Sequence, residues 1–197
     1  LTLCETGDHI IASKQLYGGS LTLLKSQLSR LGITTTFVDQ DCDYDTLKAF
    51  IRPQTRFIFA EVIGNPRADV LDIDKFSRLA KDHRLPLVID STFTPPSIFR
   101  PIDYGADIII HSATKYLGGH GNAMAGIIVD AGTFDWSDEK YPSFYSPDPS
   151  YHGIVYNEMF GNQAFIYKVR TQFLRDYGVT LSPFSAYLIF NGIQTLH

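Results

Sequence analysis

Chemistry is most readily built on Lys115, in the stretch HSATKYLGGHGN (111–122). A lysine amine turns nucleophilic when a desolvated setting lowers its pKa, and its usual product with a carbonyl compound is a Schiff base. Solvated surface lysines outnumber such sites by roughly ten to one, so the neighbours must make the case. Asp90 ends the apolar run LPLVID (85–90), where a lone carboxylate is costly unless a cation, such as a protonated heteroaromatic nitrogen, faces it. Standing alone, Asp90 reads more readily as a turn or helix-capping residue. Ser112 and Thr114, just before Lys115, offer two hydroxyls to phosphate oxygens, or else satisfy backbone groups in a turn.

Two other places carry residues of the same kind. Tyr17 precedes Gly18 and Gly19, which leave its ring free to stack on a flat aromatic ligand; a core tyrosine is the plainer alternative. Asn65, held extended before Pro66, can aim its amide at a ring hydroxyl, although Asn-Pro is also a common turn. GGHGN lacks GxGxxG spacing and follows the lysine instead of opening a helix after the first strand. It therefore reads as a tight backbone path beside a ligand and not as a dinucleotide fingerprint. His111 and His120 form no metal-ligand set with nearby carboxylates and read as packing or site-lining residues.

The elements that must position these residues are legible as alternating patterns. Runs rich in β-branched and aromatic residues recur at 9–13, 34–39, 56–61, 85–90, 106–112 and 126–130. Leu21, Leu24, Leu28 and Leu31 repeat at helical spacing before Gly32, a C-terminal stop. Asp72 caps a helix with Ile73, Phe76, Leu79 and Ala80 on one face, and 45–51 reads as another short helix. A long loop rich in Pro, Tyr, Ser and Asp (133–156) leads to a helix of about twenty residues ending before Gly178. Ser182 and Pro183 then start a final helix. Such alternation predicts an α/β fold with a largely parallel sheet covered on both faces, and ligands in such sheets bind just beyond the carboxyl ends of the strands. Tyr17–Gly19, 61–66, 90–92 and 112–122 all fall there.

LYGGS, EVIGNP, VIDSTF and HSATKYLGGHGN, in that order, resemble the motifs of the Cys/Met-metabolism PLP-dependent enzymes of fold type I. The segments FDWSDEKYPSFYSPDPSYHGIVY and TLSPFSAYLIFNGIQTLH look most like the O-acetylhomoserine sulfhydrylase branch. The resemblance implies a seven-stranded-type sheet between helices and pyridoxal 5′-phosphate as cofactor. Lys115 would carry the cofactor as a Schiff base, Asp90 would pair with its pyridine nitrogen, and Tyr17 would stack on the ring and assist at the leaving group. Ser112 and Thr114 would bind phosphate, Asn65 would contact the ring hydroxyl, and Thr92 would lie against the ring. The implied reaction is γ-replacement on O-acetyl-L-homoserine by sulfide or a thiol, giving homocysteine or methionine. Alternatives are a cystathionine γ-synthase or methionine γ-lyase type, or an inactive module that keeps the fold.

Family members are about twice as long, and their upstream Tyr-x-Arg segment, Gly-rich phosphate loop and C-terminal carboxylate-binding Arg have no counterpart here. The chain thus reads as a fragment, with 1–181 a cofactor-binding domain and 182–197 the start of a helix leading to a further domain. The resemblance implies a homotetramer built as a dimer of dimers. Composition narrows the partners. A net charge of -4 without a basic block argues against nucleic acid, and no apolar run approaches the roughly 18 residues of a membrane span. Cys4 and Cys42 lack zinc-site spacing and make no disulfide framework, which favours a reducing cytoplasm.

Overall fold

The computed structural model describes residues 1–196. Strand β1 (His9–Ser13) leads into α1 (Gly18–Thr22), which continues as a π-helical turn over Leu23–Gln27 and a 3₁₀ turn over Ser29–Leu31. Gly32, at φ 77°, closes this unit in the left-handed conformation that a glycine adopts most cheaply. The leucine stripe is only partly inward: Leu24 is buried, whereas Leu31 is 49% exposed. β2 (Thr34–Val38) and α2 (Tyr44–Lys48) follow. The latter starts one residue earlier than the sequence predicts because Asp43 caps it, accepting from the Thr46 N–H at 2.7 Å. β3 (Thr55–Glu61), α3 (Ile73–Asp82), β4 (Leu87–Asp90), β5 (Ile108–Ser112) and β6 (Gly126–Asp130) complete the sheet region, and Asp72 caps α3 through the Lys75 N–H as expected.

Among the described residues the sheet has six strands in the order β2-β1-β3-β4-β5-β6, one from each of the six apolar runs of the sequence, where the resemblance implies a seven-stranded-type sheet. All neighbours pair in parallel except β5 and β6. Period-2 alternation divides the strands between two cores. Ile11, Ile58, Ala60, Leu87, Ile89 and Ile109 face α2 and α3. Ile10, Ala12, Phe59, Val88 and Ile108 face the other way, onto Trp136, Tyr141, Phe144, Tyr156 and Phe165. Both faces are therefore covered.

The predicted loop 133–156 contains a short helix, α4 (Pro142–Tyr145). The predicted twenty-residue helix is not continuous. It comprises α5 (Tyr156–Phe160), a 3₁₀ turn at Gly161–Gln163, α6 (Ala164–Val169) and a π-helical turn at Arg170–Leu174. Gly161, at φ 53°, breaks it. The last helix, α7 (Pro183–Ile193), starts where the sequence places it, with the Ser182 hydroxyl accepting from the Ser185 N–H at 3.1 Å. His197, the final residue of the predicted 182–197 segment, lies outside the described residues.

Candidate active site

Strand order reverses between β1 and β3, since β1 is followed by β2 on one side while β3 continues to β4 on the other. Such a reversal opens a crevice at the carboxyl ends of the strands. Tyr17 lies just beyond β1, and its N–H donates to Glu61 Oε1, at the end of β3, across 2.7 Å. Glu61 sits opposite Asp90 in the β3–β4 register. Asp90 Oδ1 accepts from the Thr92 N–H (2.9 Å), and the Thr92 hydroxyl accepts from the Ser112 N–H (2.8 Å) at the end of β5. The Ser112 carbonyl accepts from the Lys115 N–H at 3.0 Å. An unbroken series of neighbours thus joins Tyr17 to Lys115 along one edge of the sheet.

Asn65 reaches the same edge indirectly. It lies in the turn between the bridged residues Ile63 and Val70 and is joined to Pro66 by a cis peptide bond. Gly64 lies so close to Gln15 that a Cβ there would stand 2.5 Å from the Gln15 Cβ, which sets this turn against the segment leading to Tyr17. Phe93 and Tyr116, the neighbours of Thr92 and Lys115, have ring centroids 5.9 Å apart, so the chain after β4 and the lysine turn adjoin.

Lys115 is exposed, and among the described residues no ion pair or side-chain hydrogen bond engages its ammonium. The desolvated setting that the sequence reading looks for is not provided by the described side chains. Asp90 is half-buried with one oxygen bound to backbone and no cation within ion-pairing distance among the described residues. The Ser112 hydroxyl makes no hydrogen bond to the described residues, whereas that of Thr114 is engaged: it accepts from the Ala125 N–H at 3.0 Å and donates to the Ala125 carbonyl at 3.3 Å. Thr114 thereby ties the lysine turn to the chain entering β6. The long donation is the one a phosphate oxygen would have to displace. Tyr17 is 60% exposed, with a ring face open as Gly18 and Gly19 require. A half-paired carboxylate, a free hydroxyl, an unpaired amine and an open aromatic ring are the donor set that a phosphate-bearing pyridine aldehyde needs, and the group fits in kind.

The glycines after Lys115 divide in purpose. Gly119 (φ 70°) and Gly121 (φ 63°) allow the tight path that the sequence suggests. Gly118 instead lies under α7, where a Cβ would stand 2.7 Å from both the Ala113 carbonyl and Ile189 Cδ1. Ala113, Leu117 and Ile189 form a small core there, so α7 buttresses the lysine turn. His111 is a buried packing residue with an unpartnered Nδ1, and burial pushes its pKa down. His120 closes locally on the Gly118 carbonyl at 2.8 Å. Among the described residues no group of three His, Cys, Asp or Glu is placed to hold a metal ion.

The residue that sequence reading leaves outside its site set is Glu61. It is 5% exposed, and burial, reinforced by the charge of Asp90, pushes its carboxyl up to about 7 against the pull of the Tyr17 N–H. A signal was available: Glu61 ends the apolar run RFIFAE as Asp90 ends LPLVID.

The chain is similar to several known proteins along its whole length. The chain is 46% identical over 204 residues to an O-acetyl-L-homoserine sulfhydrylase of Leptospira meyeri, covering 100% of this chain and 46% of that one. It is 46% identical over 198 residues to a homocysteine synthase of Schizosaccharomyces pombe, covering 99% of this chain and again 46% of the relative. The chain thus spans about half the length of these curated relatives. A solved Campylobacter jejuni protein described as an O-acetylhomoserine (thiol)-lyase, which contains N′-pyridoxyl-lysine-5′-monophosphate, superposes with a TM-score of 0.93. That match has 34% identity and covers 99% of this chain and 48% of that one. A cystathionine gamma-lyase from Lactobacillus plantarum gives a TM-score of 0.75 at 30% identity, covering 99% of this chain and 43% of that one. The family profile that matches spans residues 1–197, and the chain belongs to the Cys/Met metabolism PLP-dependent enzymes.

Proposed function

We propose that residues 1–181 are the cofactor-binding unit of an O-acetyl-L-homoserine sulfhydrylase, with residues 182–197 the helix leading on from it. The observation that carries this reading is the continuous series from Tyr17 through Glu61, Asp90, Thr92 and Ser112 to Lys115. The curated relatives, three of them named O-acetyl-L-homoserine sulfhydrylase and one homocysteine synthase, support the substrate.

Lys115 Nζ would hold pyridoxal phosphate covalently, the second Asp90 oxygen would face its pyridine nitrogen, and Tyr17 would stack on its ring. Ser112 and Thr114 would bind its phosphate, and Asn65 would bind the ring hydroxyl. Thr92 keeps Asp90, which would face the ring nitrogen, in fixed relation to the β5 end, whose hydroxyls would take the phosphate. When bound, the cofactor supplies an electron sink for the charge left at the substrate carbons. Lys115 Nζ, once its amine is free, would take a proton from Cα and then one from Cβ as acetate leaves, and would return one to each carbon as the product forms. The Tyr17 hydroxyl would assist the departure of acetate. Sulfide would then take the γ-position to give homocysteine, or methanethiol would give methionine. Among the described residues no helix is long and apolar enough to cross a membrane. A cytoplasmic homotetramer, a dimer of dimers as in the family, completes the proposal.

Incubation with pyridoxal phosphate should give a visible absorption band and, after borohydride reduction, a pyridoxyl adduct on Lys115; both should vanish in Lys115→Ala. No adduct with excess cofactor would leave an inactive module that keeps the fold. In a protein extended to the length of the relatives, acetate release from O-acetyl-L-homoserine should require sulfide or a thiol. Deamination without a thiol, or activity only with cysteine, would favour the lyase or cystathionine synthase reading.

A further inference from the structure

We infer that Glu61 is a positioning residue for this site: its buried carboxyl group clasps the Tyr17 backbone and so fixes, relative to Asp90, the point from which the Tyr17 ring extends. The inference rests on the reading above for its catalytic meaning, but its geometry stands independently. Tyr17 is the residue before α1, where the leading N–H groups of a helix have no partner within it. The Tyr17 N–H finds Glu61 Oε1 at 2.7 Å, in the range of charge-assisted hydrogen bonds. The bond crosses the crevice between β1 and β3 and so joins two strands' exits at the point where strand order reverses. The ring itself is folded back over Gly19, where a Cβ would stand 2.6 Å from Tyr17 Cε1. Glu61 is thus the polar anchor of the backbone from which the exposed ring extends over Gly19.

A structural hydrogen bond would be served as well by glutamine. A carboxyl group does more here because Asp90 faces it from the adjacent strand and is the charged group acting on it. Two carboxylates side by side resist joint ionisation. A cation against Asp90, such as the pyridinium proposed above, offsets that repulsion and lets Glu61 ionise, releasing its proton to solvent and tightening its hold on Tyr17. Occupation of the Asp90 position and the placement of the Tyr17 ring are thereby linked through one side chain.

The test begins on the chain alone, by following the Tyr17 amide by ¹⁵N NMR. Its resonance should titrate with a midpoint near 7 in the wild type and lose that inflection in Glu61→Gln, which keeps an acceptor and nearly the same shape. In Glu61→Ala the amide should exchange with solvent about tenfold faster, the loss expected of one charge-assisted hydrogen bond. Should the Ala variant fail to fold, the Gln titration decides alone. A Tyr17 amide that titrates identically in wild type and Glu61→Gln would overturn the inference. Adding pyridoxal phosphate should move the wild-type midpoint lower, and an unchanged midpoint in protein that carries the Lys115 adduct would overturn the linkage. In an extended, active protein, Glu61→Gln should lower kcat with little change in KM and flatten the pH profile around neutrality. Wild-type kinetics in that variant would sink the positioning role, whereas an inactive wild type with an intact Tyr17 titration would sink the functional reading and leave the clasp standing.

Discussion

At Gly19 a single hydrogen atom decides where the neighbouring ring can lie. A methyl group there would stand 2.6 Å from Tyr17 Cε1, yet that atom belongs to an exposed ring that is free to swing aside. Gly19→Ala should therefore change stability by less than about 1 kcal/mol while weakening pyridoxal phosphate binding about tenfold, the value of one aromatic stacking contact. Absorbance titration beside thermal melts would check it, and unchanged affinity would remove Tyr17 from the site. His9 governs a different property. It is 1% exposed, its ring nitrogens bridge Thr55 and Thr36 at 2.8 Å each, and burial, then the charge of Arg52, push its pKa down to about 4. The fold thus favours neutral His9. Its contribution should be intact above about 6.5, the unfolded value, and be lost as pH falls through about 4, by up to about 3 kcal/mol. Urea titrations at several pH values should show this slope in the wild type and a flatter one in His9→Gln. Asp90 stands out in the sequence because a polar side chain closing an apolar run needs a reason, and Lys115 because hydroxyls precede it and glycines follow it just beyond such a run. The engagement of Thr114 with Ala125 was not, since it depends on where an antiparallel strand enters the sheet.

Among the elements, strands were read within two residues at each end because their apolar runs are short and bounded. Helices were read less well. The stretch 156–177 carries no proline, so its sequence gives little sign of a break, yet Gly161 adopts a positive φ and divides it. The division lets Tyr156 and Phe165, on successive short helices, both enter one core. The role of α7 was likewise hidden. Its residues Phe184, Tyr187 and Phe190 are exposed, and what it contributes to the site is its close approach to the lysine turn. A Cβ on Gly192 would collide with the Gly118 carbonyl oxygen, backbone that cannot swing away. Gly192→Ala should cost about 1 to 3 kcal/mol as an overpacking change, and it should lower the yield of the Lys115 pyridoxyl adduct. Tyr187→Ala, on the exposed side of the same helix, controls for a general effect of this region. Equal adduct yields in the two variants would show that α7 does not support the lysine turn.

The molecule as a whole depends on the loop that composition made look least structural. Residues 133–156 are rich in Pro, Ser and Asp, and that masked the three aromatics Trp136, Tyr141 and Phe144, each 0–2% exposed. They cover the sheet face opposite α3, where Trp136 stacks on Phe144 (4.6 Å) and Phe165 (5.6 Å). The segment is fastened at both ends of this cluster. The Tyr141 hydroxyl donates to the Arg56 carbonyl at 2.6 Å, and the buried Lys168 ammonium donates to the Ser143 carbonyl at 3.0 Å while lying over the Tyr156 ring. Trp136→Ala should therefore behave as a core truncation and not as a loop substitution, costing about 3 to 5 kcal/mol. A chain of this size shifts its Tm by about 2 to 4 °C per kcal/mol, so the melt should fall by about 6 to 20 °C. Val88 and Ile108 meet the Trp136 side while Leu87 and Ile109 meet the α3 side of the same two strands, so losing one face should loosen the other. Far-UV and near-UV melts of Trp136→Ala should accordingly remain coincident, as in a two-state transition. Separate transitions would mean that the two cores fold as independent layers, and a Tm within about 2 °C of wild type would return residues 133–156 to the status of a loop.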